Sequence, residues 1–139
     1  MKILIGLIFV GITVTILCNN ASAQEMCVIP EQKVSSIKGI VAFVGAENRI
    51  KGAKINLKAK NESDKSITEV ETDQDGLFEI KGARKGKYNL VVSYPNAVTL
   101  YVPISLSKSG NDKYLHITLG AIIGETCGGG DVELVDESK

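Results

Sequence analysis

Residues 53–60 constrain the fold most. Ala53, Ile55, Leu57 and Ala59 alternate with Lys54, Asn56, Lys58 and Lys60. Successive strand side chains point to opposite faces, so this period of two buries one face and wets the other. The pattern recurs along the chain. Tyr88, Leu90, Val92 and Tyr94 alternate with Asn89, Val91 and Ser93. Val98, Leu100, Val102, Ile104 and Leu106 alternate with Thr99, Tyr101, Pro103, Ser105 and Ser107. Leu115, Ile117 and Leu119 alternate with Tyr114, His116 and Thr118. Residues 38–44 are β-branched and apolar on both faces, and 67–72 and 77–80 are shorter strand segments. No window of helical length carries an i, i+3, i+4 apolar stripe. Seven short segments separated by turn residues predict an all-β, seven-stranded antiparallel β-sandwich. Pro103 cannot donate to a ladder, which predicts an edge or a bulge at that strand.

The first 23 residues follow other rules. They hold 15 hydrophobic residues and one charge, Lys2. A positive start, an apolar run over 3–17 and the small residues Ala21-Ser22-Ala23 form the layout of a secretory signal peptide, with cleavage after Ala23. An uncleaved anchor fits less well, because the run is shorter than the roughly 20 residues that span a bilayer. Lipid attachment at Cys18 would need a small residue before it, where Leu17 stands. The expected location is therefore secreted or periplasmic, with no stable membrane span after cleavage. What remains, 24–139, has 116 residues and a formal charge of −1. That balance argues against a nucleic-acid partner, which needs a basic footprint.

Cleavage removes Cys18 and leaves Cys27 and Cys127. An even pair in an exported chain predicts a disulfide. It would close a loop of about 100 residues, worth up to about 4.7 kcal/mol in the chain-entropy account. The expected organisation is a signal peptide over 1–23, a lead-in over 24–35, the sandwich over 36–123, and a loosely ordered, Gly-rich acidic tail over 124–139.

Three local patterns lie in order within the sandwich. Gly52-Ala53-Lys54-Ile55-Asn56-Leu57 is a turn and an alternating strand. Thr72-Asp73-Gln74-Asp75-Gly76-Leu77-Phe78-Glu79-Ile80 reads as a strand end, a tight turn and a strand. Here Asp73 suits a side-chain bond to the backbone two residues on, and Gly76 suits a positive φ. Gly86-Lys87-Tyr88-Asn89-Leu90-Val91-Val92 is a Gly turn and an aromatic-led strand. Together they resemble the carboxypeptidase regulatory-like domain, among the transthyretin-like and Cna B-type sandwiches. The resemblance spans about residues 36–120 and implies a Greek-key, transthyretin/prealbumin-like sandwich. It also implies a non-catalytic accessory module, not an enzyme; some relatives are grouped with carbohydrate-binding sandwiches. Two positions depart from the pattern: Lys85 stands where the family often has Pro, and Ala83 is small. A Cna-type isopeptide bond from Lys38 is not expected, because 114–120 holds no Asn or Asp.

Chemistry-bearing residues are sparse. Three Cys and one His exclude a four-thiolate zinc site and a His-rich metal site. Glu71, Asp73, Asp75 and Gly76 echo the start of an EF-hand loop, but Gly82 falls where the bidentate Glu must be. Asp73, Asp75 and Gly76 are therefore read as a structural turn, and no metal or cofactor is expected. His116 has no second His and no motif for a nucleophile. Lys51, Lys54, Lys58 and Lys60, with Arg84, Lys85 and Lys87, suit a solvated outer face, or contact with an acidic polymer or with Asp131, Glu133, Asp136 and Glu137. Tyr101 and Tyr114 point outward, but with no Trp they make a poor sugar platform. Asn61-Glu62-Ser63 matches a glycosylation sequon. The expected function is binding or scaffolding of a protein or glycan partner at the cell envelope or outside the cell, with a carbohydrate-binding module as the alternative. Mass spectrometry of the exported protein should begin at Gln24 and run two hydrogens light of the reduced mass; retention of residues 1–23 would overturn the leader assignment.

Overall fold

The computed structural model describes residues 29–45, 48–61, 65–122 and 129–136. Among the described residues nine strands form: β1 (Gln32–Val34), β2 (Ile37–Phe43), β3 (Lys54–Ala59), β4 (Ser66–Glu71), β5 (Leu77–Ile80), β6 (Gly86–Ser93), β7 (Leu100–Leu106), β8 (Tyr114–Leu119) and β9 (Asp131–Val135). They build two sheets, ordered β1-β7-β6-β3-β4 and β5-β2-β8-β9. No described residue is helical.

The alternating segments dictate the packing. Ile55 and Leu57 of β3, Leu90 and Val92 of β6, and Val102 and Ile104 of β7 are fully buried from the five-stranded side. Ile37 and Val41 of β2 and Leu115, Ile117 and Leu119 of β8 meet them from the four-stranded side. On β3, β6, β7 and β8 the residues between these positions point outward, so one residue of slip there would turn the apolar face to water. The Tyr88 hydroxyl donates to the Arg84 carbonyl, which folds the β5–β6 connection back on the core. Tyr94 is half-buried at the far end of β6 and meets Phe43 edge-on, with centroids 5.8 Å apart.

Three expectations need correction. The described residues form nine strands rather than seven. The additional strands lie in the lead-in and in the tail, where loose order is expected from its Gly and acidic residues. β1 is only three residues long, and its middle residue, Lys33, is exposed. β9 alternates Val132 and Leu134 with Asp131 and Glu133, and its charges concealed a strand whose Val132 is buried. The sandwich is also not wholly antiparallel, because β1 pairs parallel with β7 and β2 parallel with β8.

Those parallel pairs have one cause. The chain crosses between sheets at the β1–β2 corner, and crosses again between β7 and β8. The two crossings lie side by side, joined by Ser35 N–H to the Asn111 carbonyl (2.8 Å), Asn111 N–H to the Lys33 carbonyl (3.1 Å) and Ser107 N–H to the Val34 carbonyl (3.0 Å). β1 pairs with Ile104–Leu106 only, so its partner residues begin just past Pro103. The proline, which has no N–H to give, stands where this pairing stops.

Gly110 lies at the closest approach of the crossings. A Cβ there would meet the Val34 carbonyl carbon at 2.2 Å and its oxygen at 2.3 Å. Gly110→Ala should therefore cost about 1–3 kcal/mol, the range for forced overpacking. Thermal denaturation reads this as a lower Tm. Adding Val34→Ala should not restore it, since the clash is with backbone; full recovery would reject the steric account.

Candidate functional site

The outward face of the four-stranded sheet carries the chemistry in rows. Register places Glu79, Lys38, Tyr114 and Val135 across β5, β2, β8 and β9. The next row holds Leu77, Ile40, His116 and Glu133. At the β5 side these rows border an open cleft of about 370 Å³, lined by Lys38, Asp73, Leu77, Phe78, Glu79 and Tyr114. The lining combines apolar side chains with charges of both signs.

Lys38 is held in place. Its Nζ lies 3.0 Å from Asp112 Oδ1 and 4.8 Å from the Tyr114 ring centroid. The ring face attracts the ammonium through its quadrupole. Lys38 is largely covered at 21% side-chain exposure, whereas Asp112 stands in solvent at 73%. Ser36 Oγ donates to the same Asp112 Oδ1 at 2.8 Å. The Ser36 hydrogen bond, then the hydrogen bond and charge of Lys38, hold the Asp112 carboxyl below its ordinary range. Ser36 and Asp112 were not anticipated from sequence. They are 76 positions apart and meet only because the two crossings lie together.

The β4–β5 turn forms the other wall. Asp73 Oδ1 accepts from Asp75 N–H at 2.8 Å and from Leu77 N–H at 2.9 Å. Gly76 has φ 71°, and its carbonyl accepts from Val41 N–H at 2.9 Å. A Cβ at Gly76 would lie 2.8 Å from the Val41 carbonyl oxygen. Asp75 is exposed, and its carbonyl accepts from Arg49 at 3.4 Å. Beneath the turn, buried Thr72 donates to the Ile50 carbonyl at 2.5 Å and accepts from Ala53 N–H at 2.9 Å. Among the described residues no three His, Cys, Asp or Glu are grouped to hold a metal ion.

Other sequence candidates are scattered. His116 is half-buried on the same face, outside the cleft lining, with Glu133 opposite it on β9. Tyr101 stands 63% exposed on the other sheet, so Tyr101 and Tyr114 occupy opposite faces of the sandwich. Lys54 and Lys58 face outward on β3, where Lys54 lies opposite Glu71; Lys60 sits in the following turn. Lys87 pairs with Glu31 at 3.1 Å. The β3 lysines lie apart from the acidic tail: β9 belongs to the other sheet, and Asp136 pairs with Lys113 at 3.1 Å. Cys27 and Cys127, the expected disulfide, lie outside the described residues, as do Cys18, the leader, Glu62-Ser63 and Glu137. Among the described residues no helix is long and apolar enough to cross a membrane.

No family model matches the chain, and no curated protein matches its sequence. Among solved structures, the 5-hydroxyisourate hydrolase of Klebsiella pneumoniae is similar, with a TM-score of 0.52 and 10% identity over 76% of this chain and 96% of that one. The fold is a transthyretin-like β-sandwich. This corrects the expectation that the chain is not an enzyme: the similar structure is a hydrolase, so the architecture gives no ground for excluding catalysis. At 10% identity the likeness shows the fold alone.

Asp112 supplies a pH test. Its folded-state pKa is lowered, so its contribution to stability is present above the unfolded-state value and lost as pH falls through the folded one. Melting temperature should drop as pH falls below about 4. Asp112→Asn should flatten part of that acid limb; an unchanged limb would show that the Ser36–Asp112–Lys38 cluster does not couple to folding.

Proposed function

We propose that this chain is a small exported sandwich that binds or scaffolds a protein partner, at the cell envelope or outside the cell. The cleft of about 370 Å³ beside β5 carries the reading. It offers Leu77 as apolar contact and Lys38, Asp73 and Glu79 as charges of both signs, above the buried Phe78. Lys38 and Asp73 are already held by neighbours, so two of its polar groups require little further ordering on contact. The carboxypeptidase regulatory-like resemblance favours the same class of role, an accessory module. A carbohydrate-binding role is the second reading. It is weakened by the separation of Tyr101 and Tyr114 onto opposite faces, which leaves no grouped aromatic platform.

In this reading the leader is removed after Ala23, and a Cys27–Cys127 disulfide joins the two ends. Ile29 and Val132, the buried described residues nearest in sequence to those cysteines, both belong to the one core.

The test is retention from native envelope material on immobilised protein of residues 24–139, beside a Leu77→Asp/Glu79→Lys variant. A protein should be retained by the wild type and lost by the variant, while Tyr101→Ala changes nothing. Retention of a glycan, abolished by Tyr114→Ala, would replace the protein-partner reading with the carbohydrate one.

A further inference from the structure

The chain is neutral overall, but its charges are not evenly placed. The β3–β4, β5–β6 and β7–β8 connections all leave the sandwich at one end. Lys60, Arg84, Lys85 and Lys108 lie there, all exposed, and among the described residues none of them makes an ion pair. Lys81, Lys87 and Lys113 add to the same end, paired with Glu79, Glu31 and Asp136, and exposed Asp112 of the β7–β8 connection pairs there with Lys38, which leaves the four unpaired cations in excess among the described residues. The opposite end carries Glu71, Asp73, Asp75 and Asp131 beside Arg49, Lys51 and Lys54.

The topology fixes this basic end. Gly86 of β6 lies opposite Leu106 of β7, and Ala59 of β3 opposite Tyr88 of β6. Lys60 N–H bonds the Lys87 carbonyl at 3.2 Å, and the Tyr88 hydroxyl pulls the Arg84 carbonyl toward the core. Adjacent strands are about 4.8 Å apart and the two layers about 10 Å, so the cations spread in two dimensions. Lys60 and Lys108 extend from strands of the five-stranded sheet, and Lys81 and Lys113 flank strands of the four-stranded one. Glu62 and Asp64, in the β3–β4 connection, lie outside the described residues.

We propose that this end docks on an anionic phospholipid surface. A plane meets the ends of both layers at once, whereas a linear polyanion follows a groove or a single row; the cleft borders this end through Glu79 and Tyr114 but opens on the sheet face. Each Lys or Arg near such a surface adds attraction that salt screens. Docking end-on would leave the cleft of the four-stranded sheet facing along the membrane, open to a partner.

The test is co-sedimentation of residues 24–139, which hold all nine strands and the whole described core, with lipid vesicles. Vesicles of phosphatidylcholine with phosphatidylglycerol should bind the protein at low salt and release it at high salt, and vesicles of phosphatidylcholine alone should not bind it. The Lys60→Ser/Arg84→Ser/Lys85→Ser variant should bind roughly a hundredfold more weakly. The Lys51→Ser/Lys54→Ser variant, altered at the other end, should bind as the wild type does. Lys85→Glu/Lys108→Glu provides a second variant should the triple one melt early. Absence of wild-type binding to the anionic vesicles, or equal loss in variants of both ends, overturns the proposal. Binding to soluble polyphosphate without binding to vesicles also overturns it and assigns a soluble polyanion instead.

Discussion

The two sheets are held in register by a pair of chain crossings that run side by side. Each crossing takes the chain from the five-stranded layer to the four-stranded one, and backbone hydrogen bonds between 33–35 and 107–111 lock them together. Because both cross in the same direction, the strands before them pair in parallel, and so do the strands after them. The β1–β2 link is only two residues, so placing β1 on the edge of β7 also fixes where β2 enters the opposite layer. Hydrophobic burial supplies the driving force but not this geometry; any two apolar faces can be pressed together. The crossings set which residues face each other, and small changes there reach both layers.

The same constraint produces the polar cluster on the outer face. Ser36 follows the first crossing and Asp112 follows the second, so their meeting is a consequence of topology. Asp112 then fixes Lys38, and Lys38 covers Tyr114. Across the sheet, Asp73 performs a similar task by a different route, satisfying two N–H groups of its own turn. The cleft is thus bordered by polar side chains that structural duties have already ordered. Among the described residues its exposed Glu79 makes a 3.6 Å contact with Lys81, both in solvent, and surface pairs of that kind contribute little. Glu79 and Leu77 are consequently the cleft residues freest to answer to a partner.

Period-two alternation made the central strands legible, since β3, β6, β7 and β8 each carry several buried residues on one side. Length and charge hid the rest. β1 has three residues and follows no pattern that a window can detect, and β9 spends half its positions on acids that resemble a solvated tail. The parallel pairings were also illegible, because alternation records which face a residue takes and says nothing of the neighbouring strand's direction. The turn at Asp73–Gly76 was visible because its chemistry is local. The Ser36–Asp112–Lys38 cluster was invisible because none of its members is unusual beside its sequence neighbours.

The likeness to a hydrolase at 10% identity sharpens what can be inferred from such a fold. A sandwich core needs only apolar residues at alternate positions, and many unrelated sequences supply them. The outward positions are unconstrained by that requirement, so they are where relatives by fold alone diverge in task. Here the outward set is divided. One sheet face offers a cleft of mixed charge, and one end gathers cations from three connections. The end cations require no fixed geometry, because long-range attraction to an anionic surface depends on count and spacing. The cleft does require it, and the ordered Lys38 and Asp73 provide it. A loose electrostatic contact and a shaped one can therefore coexist on a domain of this size, each built from positions that the core leaves free.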